Sequence, residues 1–303
     1  MIMLGKIFHL ILPFAIIGSV AAASKEAPKP NYSDVKYGPE ERQVLDFWKA
    51  DSKKPTPVLV LIHGGGWIHG DKKKIAKQAR NTIRLMLNKG VSVAAINYRF
   101  VPKYKLPVPV HDAARAIQFL RYKAKDWNID KKYIAATGGS AGGCTSLWLA
   151  THDDLADKNS PDPVLWESTR LCGASVGDAQ TSIDPVQIRK WKNDGALKHC
   201  MICWSMSFKN NRDMSKNYET VKAVYKEFSP VNHLDKNDPP MLLRYYKGLD
   251  APTGIHHALF GSHFKKRADE VGAPVTLHIG RKPAKGEKRI SSNAFLLKVL
   301  GIN

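Results

Sequence analysis

The run Val58-Leu59-Val60-Leu61-Ile62 is continuously apolar, with no polar residue at alternate positions. A strand of that kind needs cover on both faces, which a sheet enclosed between helices provides. The rest of the chain agrees. Short apolar runs at 35–37, 44–48, 91–96, 133–136, 171–176, 241–246 and 275–279 alternate with amphipathic stretches at 73–88, 111–125, 141–152, 255–271 and 292–300. The first two short runs predict an opening antiparallel pair. The alternation that follows predicts an α/β fold, a mainly parallel central sheet with helices on both faces. With 303 residues, 43% of them hydrophobic, one such domain can close its core.

The N-terminal residues are set aside from that fold. Met1 to Lys6 carries one positive charge, Ile7 to Val20 is apolar, and Ala21-Ala22-Ala23 follows. This pattern predicts a signal peptide over residues 1–23, a mature domain over 24–303, and a secreted or periplasmic protein. The apolar stretch is shorter than the ~20 residues that span a bilayer, so no stable membrane span is expected after cleavage. Cys200 and Cys203 form a C-x-x-C that predicts a local disulfide in an oxidising compartment, whereas Cys144 and Cys172 fall in apolar contexts that suit buried thiols. The formal charge is +20, or +19 once Lys6 is removed with the signal peptide (20 minus 1). A cationic exported protein is drawn to polyanions such as acidic polysaccharide. Nucleic acid would feel the same field, but no nucleic-acid recognition motif is present.

In open α/β sheets the reactive groups gather past the carboxyl ends of the strands. Two motifs lie there. His63-Gly64-Gly65-Gly66-Trp67 follows the run ending at Ile62, and its glycines can aim backbone N–H groups at one point. Gly138-Gly139-Ser140-Ala141-Gly142-Gly143 follows the run ending at Ala136 and matches G-x-S-x-G, the sharp strand-to-helix turn that exposes a serine hydroxyl.

These motifs, with Gly70-Asp71-Lys72 and Asn97-Tyr98-Arg99 between them, resemble α/β-hydrolase carboxylesterases related to feruloyl and acetyl-xylan esterases, and more distantly kynurenine formamidase. The similarity runs from about Val35 to His152, thins, and returns near Pro239. It implies the α/β-hydrolase fold, Ser140 as nucleophile, and the amides of Gly65, Gly66 and Ala141 as oxyanion donors. His63 would then brace the glycine loop. The resemblance also implies an acid after a late strand at Asp250. Asp178, just past the run ending at Val176, is the alternative by position.

The histidine expected after the last strand is missing. The loop Gly280 to Ser291 contains none, and His278 sits inside the run before it. His256, His257 and His263 remain, at the start of an expected helix, and His257 is taken as base. The segment 178–239 is expected to cover the substrate, with Gln180-Thr181-Ser182, Trp191 and Trp204 lining a pocket or packing in the core. The first expectation is thus a serine carboxylesterase acting on an acylated, acidic polysaccharide or a small ester, with no metal or organic cofactor required. The alternative is a non-catalytic glycan- or polyanion-binding protein on the same scaffold.

Overall fold

Eight strands make one sheet in the order β1-β2-β4-β3-β5-β6-β7-β8. They are β1 (Tyr32–Lys36), β2 (Val44–Trp48), β3 (Thr56–Ile62), β4 (Ser92–Ile96), β5 (Ile129–Gly139), β6 (Gly173–Gly177), β7 (Met241–Tyr245) and β8 (Val275–Ile279). In this computed structural model the described residues are 26–283 and 288–302. The expected signal peptide, residues 1–23, lies outside them, as does part of the loop between Gly280 and Ser291. β2 runs antiparallel to both its neighbours, and the pairs from β4 through β8 are parallel. Val58 to Ile62 is almost wholly buried at the centre, as its unbroken apolar run requires.

The helices are α1 (Lys72–Gln78), α2 (Arg80–Asn88), α3 (Val108–Tyr122), α4 (Ala124–Trp127), α5 (Ala141–Thr151), α6 (Pro185–Lys190), α7 (Cys200–Trp204), α8 (Asn211–Lys216), α9 (Tyr218–Glu227), α10 (Leu259–Val271) and α11 (Ser292–Val299). One core cluster packs α3, α5 and α10 on one face of the sheet, and a smaller one packs α1, α2 and α11 on the other. None of the described helices is long and apolar enough to cross a membrane.

Two sequence expectations change here. α10 begins at Leu259 rather than Ile255, so His256 and His257 lie in a turn, where neighbouring side chains can face different ways. Cys200 and Cys203 are free thiols on α7, and Cys203 Sγ donates to the Cys200 carbonyl at 3.3 Å instead of forming the expected disulfide. Helical backbone bonding already orders this short segment without a covalent link.

Between β6 and β7, residues 178–239 fold as α6 to α9 with short turns. Gln180, Thr181 and Ser182 are fully buried, and Trp191 stacks on His263 with ring centres 4.5 Å apart. Trp204 packs against the main core. These side chains therefore do structural work, and none of them lines the cleft described below.

Candidate active site

The turn from β5 into α5 is held by close backbone contact. A Cβ on Gly142 would lie 2.1 Å from the Ile62 carbonyl oxygen, and one on Gly138 would lie 2.5 Å from the same atom. Larger residues would push α5 away from β3, so the small residues of the motif follow from steric necessity. Ser140 adopts φ 53° and ψ −128°, a region that side chains rarely occupy. Its own N–H donates to the Gly177 carbonyl at 3.0 Å, and Cys144 N–H donates back to its carbonyl at 2.8 Å. The strained residue is thus fixed from both sides with its side chain projecting from the sheet edge.

The glycine loop sits directly against this turn. A Cβ on Gly64 would lie 3.5 Å from Ser140 Cβ. Gly65 has φ 107°, and a side chain there would meet the His69 carbonyl oxygen at 2.1 Å. Trp67 is wholly buried and pins the loop to α5 by donating from Nε1 to Thr145 Oγ1 at 2.9 Å. Among the described residues, the amides of Gly65, Gly66 and Ala141 have no hydrogen-bond acceptor of their own. Ala141 is the first residue of α5, where helical geometry leaves N–H groups free.

His63 is a brace in this arrangement. Its Nδ1 lies 2.8 Å from the Gly64 carbonyl, its ring stacks on Tyr98 at 4.2 Å, and burial lowers its pKa to about 4, which keeps it neutral. The Tyr98 hydroxyl donates to the His63 carbonyl at 2.7 Å. Asn97 joins Asp71 and the Lys72 amide, and Lys72, although buried, pairs with Asp46 at 2.6 Å and Asp34 at 2.7 Å. Arg99 forks onto Asp112 at 2.6 and 2.9 Å. The two short motifs between the glycine loop and the serine turn are therefore the frame of the loop. The types of these residues are visible in the sequence, but their partners are not.

The imidazole that meets Ser140 is that of His256, with Nε2 2.9 Å from Oγ. His257, the residue expected there, is buried and faces the other way. Its Nε2 lies 2.9 Å from the Ala251 carbonyl and its Nδ1 accepts from Leu259 N–H at 3.1 Å, so both ring nitrogens are engaged in building the turn into α10. His263 stacks on Trp191, and His278 is buried within β8. His256 is exposed overall, but partial desolvation of its ring lowers its pKa, the carboxylate of Asp178 raises it, and Lys247 lowers it.

Asp178 follows β6 with φ 46°, a conformation that Asp tolerates better than most residues. Its Oδ1 accepts from Tyr246 N–H at 3.1 Å. Gln180 Nε2 donates to the Ile255 carbonyl at 2.6 Å and to the Asp178 carbonyl at 3.3 Å, tying the Asp178 turn to the segment that carries His256. Asp250 is exposed and, among the described residues, neither bonds to His256 nor contributes to its electrostatic surroundings. The serine, acid and histidine keep their order along the chain. Asp178, the alternative acid, follows β6 and His256 follows β7, whereas Asp250, the first expectation, stands apart from this histidine.

These groups open onto a cleft of about 630 Å³ lined by Ser140, Asp178, His256, Arg244, Tyr246 and Asn293, among others. Gly139, Gly177 and Arg244 are successive in-register partners on β5, β6 and β7, so the arginine stands on the same strand edge as the serine turn. Its Nε is buried without a hydrogen-bond partner. No residue was singled out at this position from the sequence. A lone Arg in a short strand carries no signal until the sheet order is known.

The fold and this strand-to-helix turn define an α/β-hydrolase. The chain belongs to the BD-FAE family, whose model matches residues 45–247. Among curated relatives it is similar to Esterase LipC of Mycobacterium tuberculosis, 26% identical over 215 residues, 69% of this chain and 49% of the relative. Esterase LipQ of the same organism is 28% identical over 215 residues, 70% of this chain and 47% of the relative. The chain thus spans about half the length of these two relatives. Among solved structures, an acetyl ester-xyloside bifunctional hydrolase from Caldicellulosiruptor lactoaceticus aligns with TM-score 0.62 and 25% identity, covering 79% of this chain and 77% of that one. A truncated carbohydrate esterase from gut microbiota shares the fold with TM-score 0.62 at 19% identity, covering 82% and 86%.

Proposed function

We propose that this protein is a secreted serine carboxylesterase that removes acyl groups from an acidic polysaccharide. The observation that carries the reading is the 2.9 Å contact between His256 Nε2 and Ser140 Oγ, beside a glycine loop with free amides. In the reaction, Oγ attacks the ester carbonyl while Nε2 takes its proton. The amides of Gly65, Gly66 and Ala141 hold the resulting oxyanion. The tetrahedral species collapses, the sugar oxygen leaves with the proton from His256, and an acyl-serine remains. Water then attacks the acyl-serine by the same route, with His256 as base, releasing the acid and restoring Ser140. Asp178 stabilises the imidazolium that forms twice in each cycle. A neutral resting His256 suits this role, and partial desolvation favours that state.

The substrate class is supported by three features. The two curated relatives are named as esterases, and the two structural neighbours as an acetyl ester-xyloside bifunctional hydrolase and a carbohydrate esterase. The chain carries a formal charge of +20. Arg244 lines the cleft with a cationic guanidinium, the group that would pair with a uronate carboxylate. Export rests on the charged start, apolar run and alanines of residues 1–23.

The test is fluorophosphonate labelling followed by peptide mass spectrometry. A stoichiometric adduct on Ser140, absent from Ser140→Ala, is expected. Folded protein that takes no label would overturn the assignment and favour a binding protein on this scaffold.

A further inference from the structure

At the end of α5 remote from Ser140, a second group of imidazoles surrounds Glu227. His152 follows the last residue of α5, and its Nε2 lies 2.8 Å from Glu227 Oε1. His233 Nε2 lies 3.9 Å from the same oxygen. The other nitrogen of His152, Nδ1, lies 2.8 Å from the Asp153 carbonyl oxygen. A carbonyl only accepts, so Nδ1 carries the proton, and in the neutral ring Nε2 offers a lone pair. That lone pair then faces a carboxylate oxygen. The two atoms remain 2.8 Å apart only with positive charge between them, which is either a second ring proton or a metal ion.

We propose that His152, Glu227 and His233 form a binding site for one divalent metal ion of the zinc class. One ligand atom from each residue lies within 4.8 Å of the other two. Zinc bonds of about 2.0–2.2 Å place adjacent tetrahedral ligands roughly 3.3–3.6 Å apart. The distances of 2.8 and 3.9 Å lie on either side of that range, so small ring rotations suffice. The Nδ1 contact of His152 to a backbone carbonyl is the outer contact that orients a metal-bound imidazole. His233 Nε2 faces the Glu227 carbonyl and so carries the proton, which must pass to Nδ1 or be released as the ring turns to bind the metal. That turn strands no polar group. The Glu227 carbonyl it holds at 2.5 Å also accepts from Trp148 Nε1 at 3.0 Å.

Trp148 stacks on His152 with ring centres 4.1 Å apart and meets His233 edge-on at 6.5 Å, which restricts both rings. The histidine side chains are 18% and 19% exposed and that of Glu227 is 41% exposed, leaving a side open to water as the fourth ligand. Two imidazoles and one carboxylate suit zinc better than magnesium or calcium, which favour oxygen ligands throughout. The carbonyls at the end of α5 add negative potential. The metal would join the helix that begins at the nucleophile to α9 and the turn Pro230–Asn232. At roughly 16 Å along the helix from Ser140, it would act as a fastening and take no part in the ester chemistry.

The test titrates zinc chloride into EDTA-treated full-length protein by calorimetry and follows thermal unfolding with and without the metal. One equivalent should bind and raise Tm. His152→Ala, Glu227→Gln and His233→Ala should each weaken binding by more than about tenfold, the loss seen even for outer-shell partners, and remove the metal-dependent rise in Tm. Each variant's circular dichroism without metal shows that it folds. The double variant Cys200→Ser, Cys203→Ser and the variant His256→Ala should bind zinc as the wild type does. Failure of the wild type to bind overturns the site, because a ring proton then fills the gap. Binding that survives the three ligand variants, or that follows the cysteines or His256, also overturns it.

Discussion

The two halves of the candidate site are built in different ways. The half formed by the glycine loop and the Ser140 turn is fixed by backbone contacts and a buried polar frame running through Asn97, Tyr98, Asp71 and Lys72. The half formed by Asp178 and His256 sits on turns and is joined mainly through Gln180 and the Tyr246 amide. The first half needs specific residues at fixed spacing, because a Cβ at Gly138 or Gly142 would collide with the Ile62 carbonyl oxygen. The second needs only an imidazole and a negative charge within reach. That requirement can be met from the ends of different strands, here from the turns after β6 and β7.

The comparison is broken most directly at the histidines. His256→Ala should lower kcat/KM for an aryl acetate by about 10⁴–10⁶-fold, while His257→Ala should change kcat by less than about tenfold and instead lower Tm. His257 holds the Ala251 carbonyl and the Leu259 amide, and each such hydrogen bond contributes about 1 kcal/mol. Equal losses from the two variants would show that the turn, not the His256 imidazole, matters.

The acid is the next point of stress. Asp178→Asn should reduce kcat by about 10²–10⁴-fold, and Asp250→Asn should leave it unchanged. The reverse ranking would restore the acid to the loop after β7.

A smaller effect is expected at the cleft. Arg244→Gln should raise KM for an acetylated acidic oligosaccharide by about 10- to 100-fold, since a hydrogen bond to a charged group contributes about 1.5–3 kcal/mol. KM for a neutral acetyl ester should not move. A uniform rise for both substrates would argue against a carboxylate contact.

The pH profile should show the mildest change. The base acts only when neutral, so kcat/KM falls as pH drops through the pKa of His256. Partial desolvation sets that pKa below the ordinary histidine value of 6.5, so the acid limb should lie below it. Asp178 raises this pKa and Lys247 lowers it, so Asp178→Asn should move the residual limb further down and Lys247→Met should move it up. An acid limb above the ordinary histidine value would contradict the assigned surroundings of His256.

Much of the scaffold was legible because it depends on local pattern. The buried central strand, the parallel sheet, the serine turn after β5 and the glycine loop after β3 all follow from apolar runs and glycine positions within a few residues of each other. Two local readings failed where tertiary contacts overrode them. The helix expected from Ile255 starts at Leu259, because His257 bonds to both sides of the turn. The expected disulfide is a pair of thiols on a short helix.

The sequence alone determined that a serine stands at a sharp turn beside the glycine loop, since only small residues at 138 and 142 let α5 approach the carbonyl of Ile62. Tertiary structure alone decided which imidazole reaches that serine. His256 and His257 are adjacent and chemically identical, and the choice between them is made by a turn that sends one ring toward Ser140 and the other into Ala251 and Leu259. It also decided which carboxylate lies near His256 and that Arg244 lines the same cleft, because proximity across a sheet depends on strand order and register, which connect residues far apart in the chain.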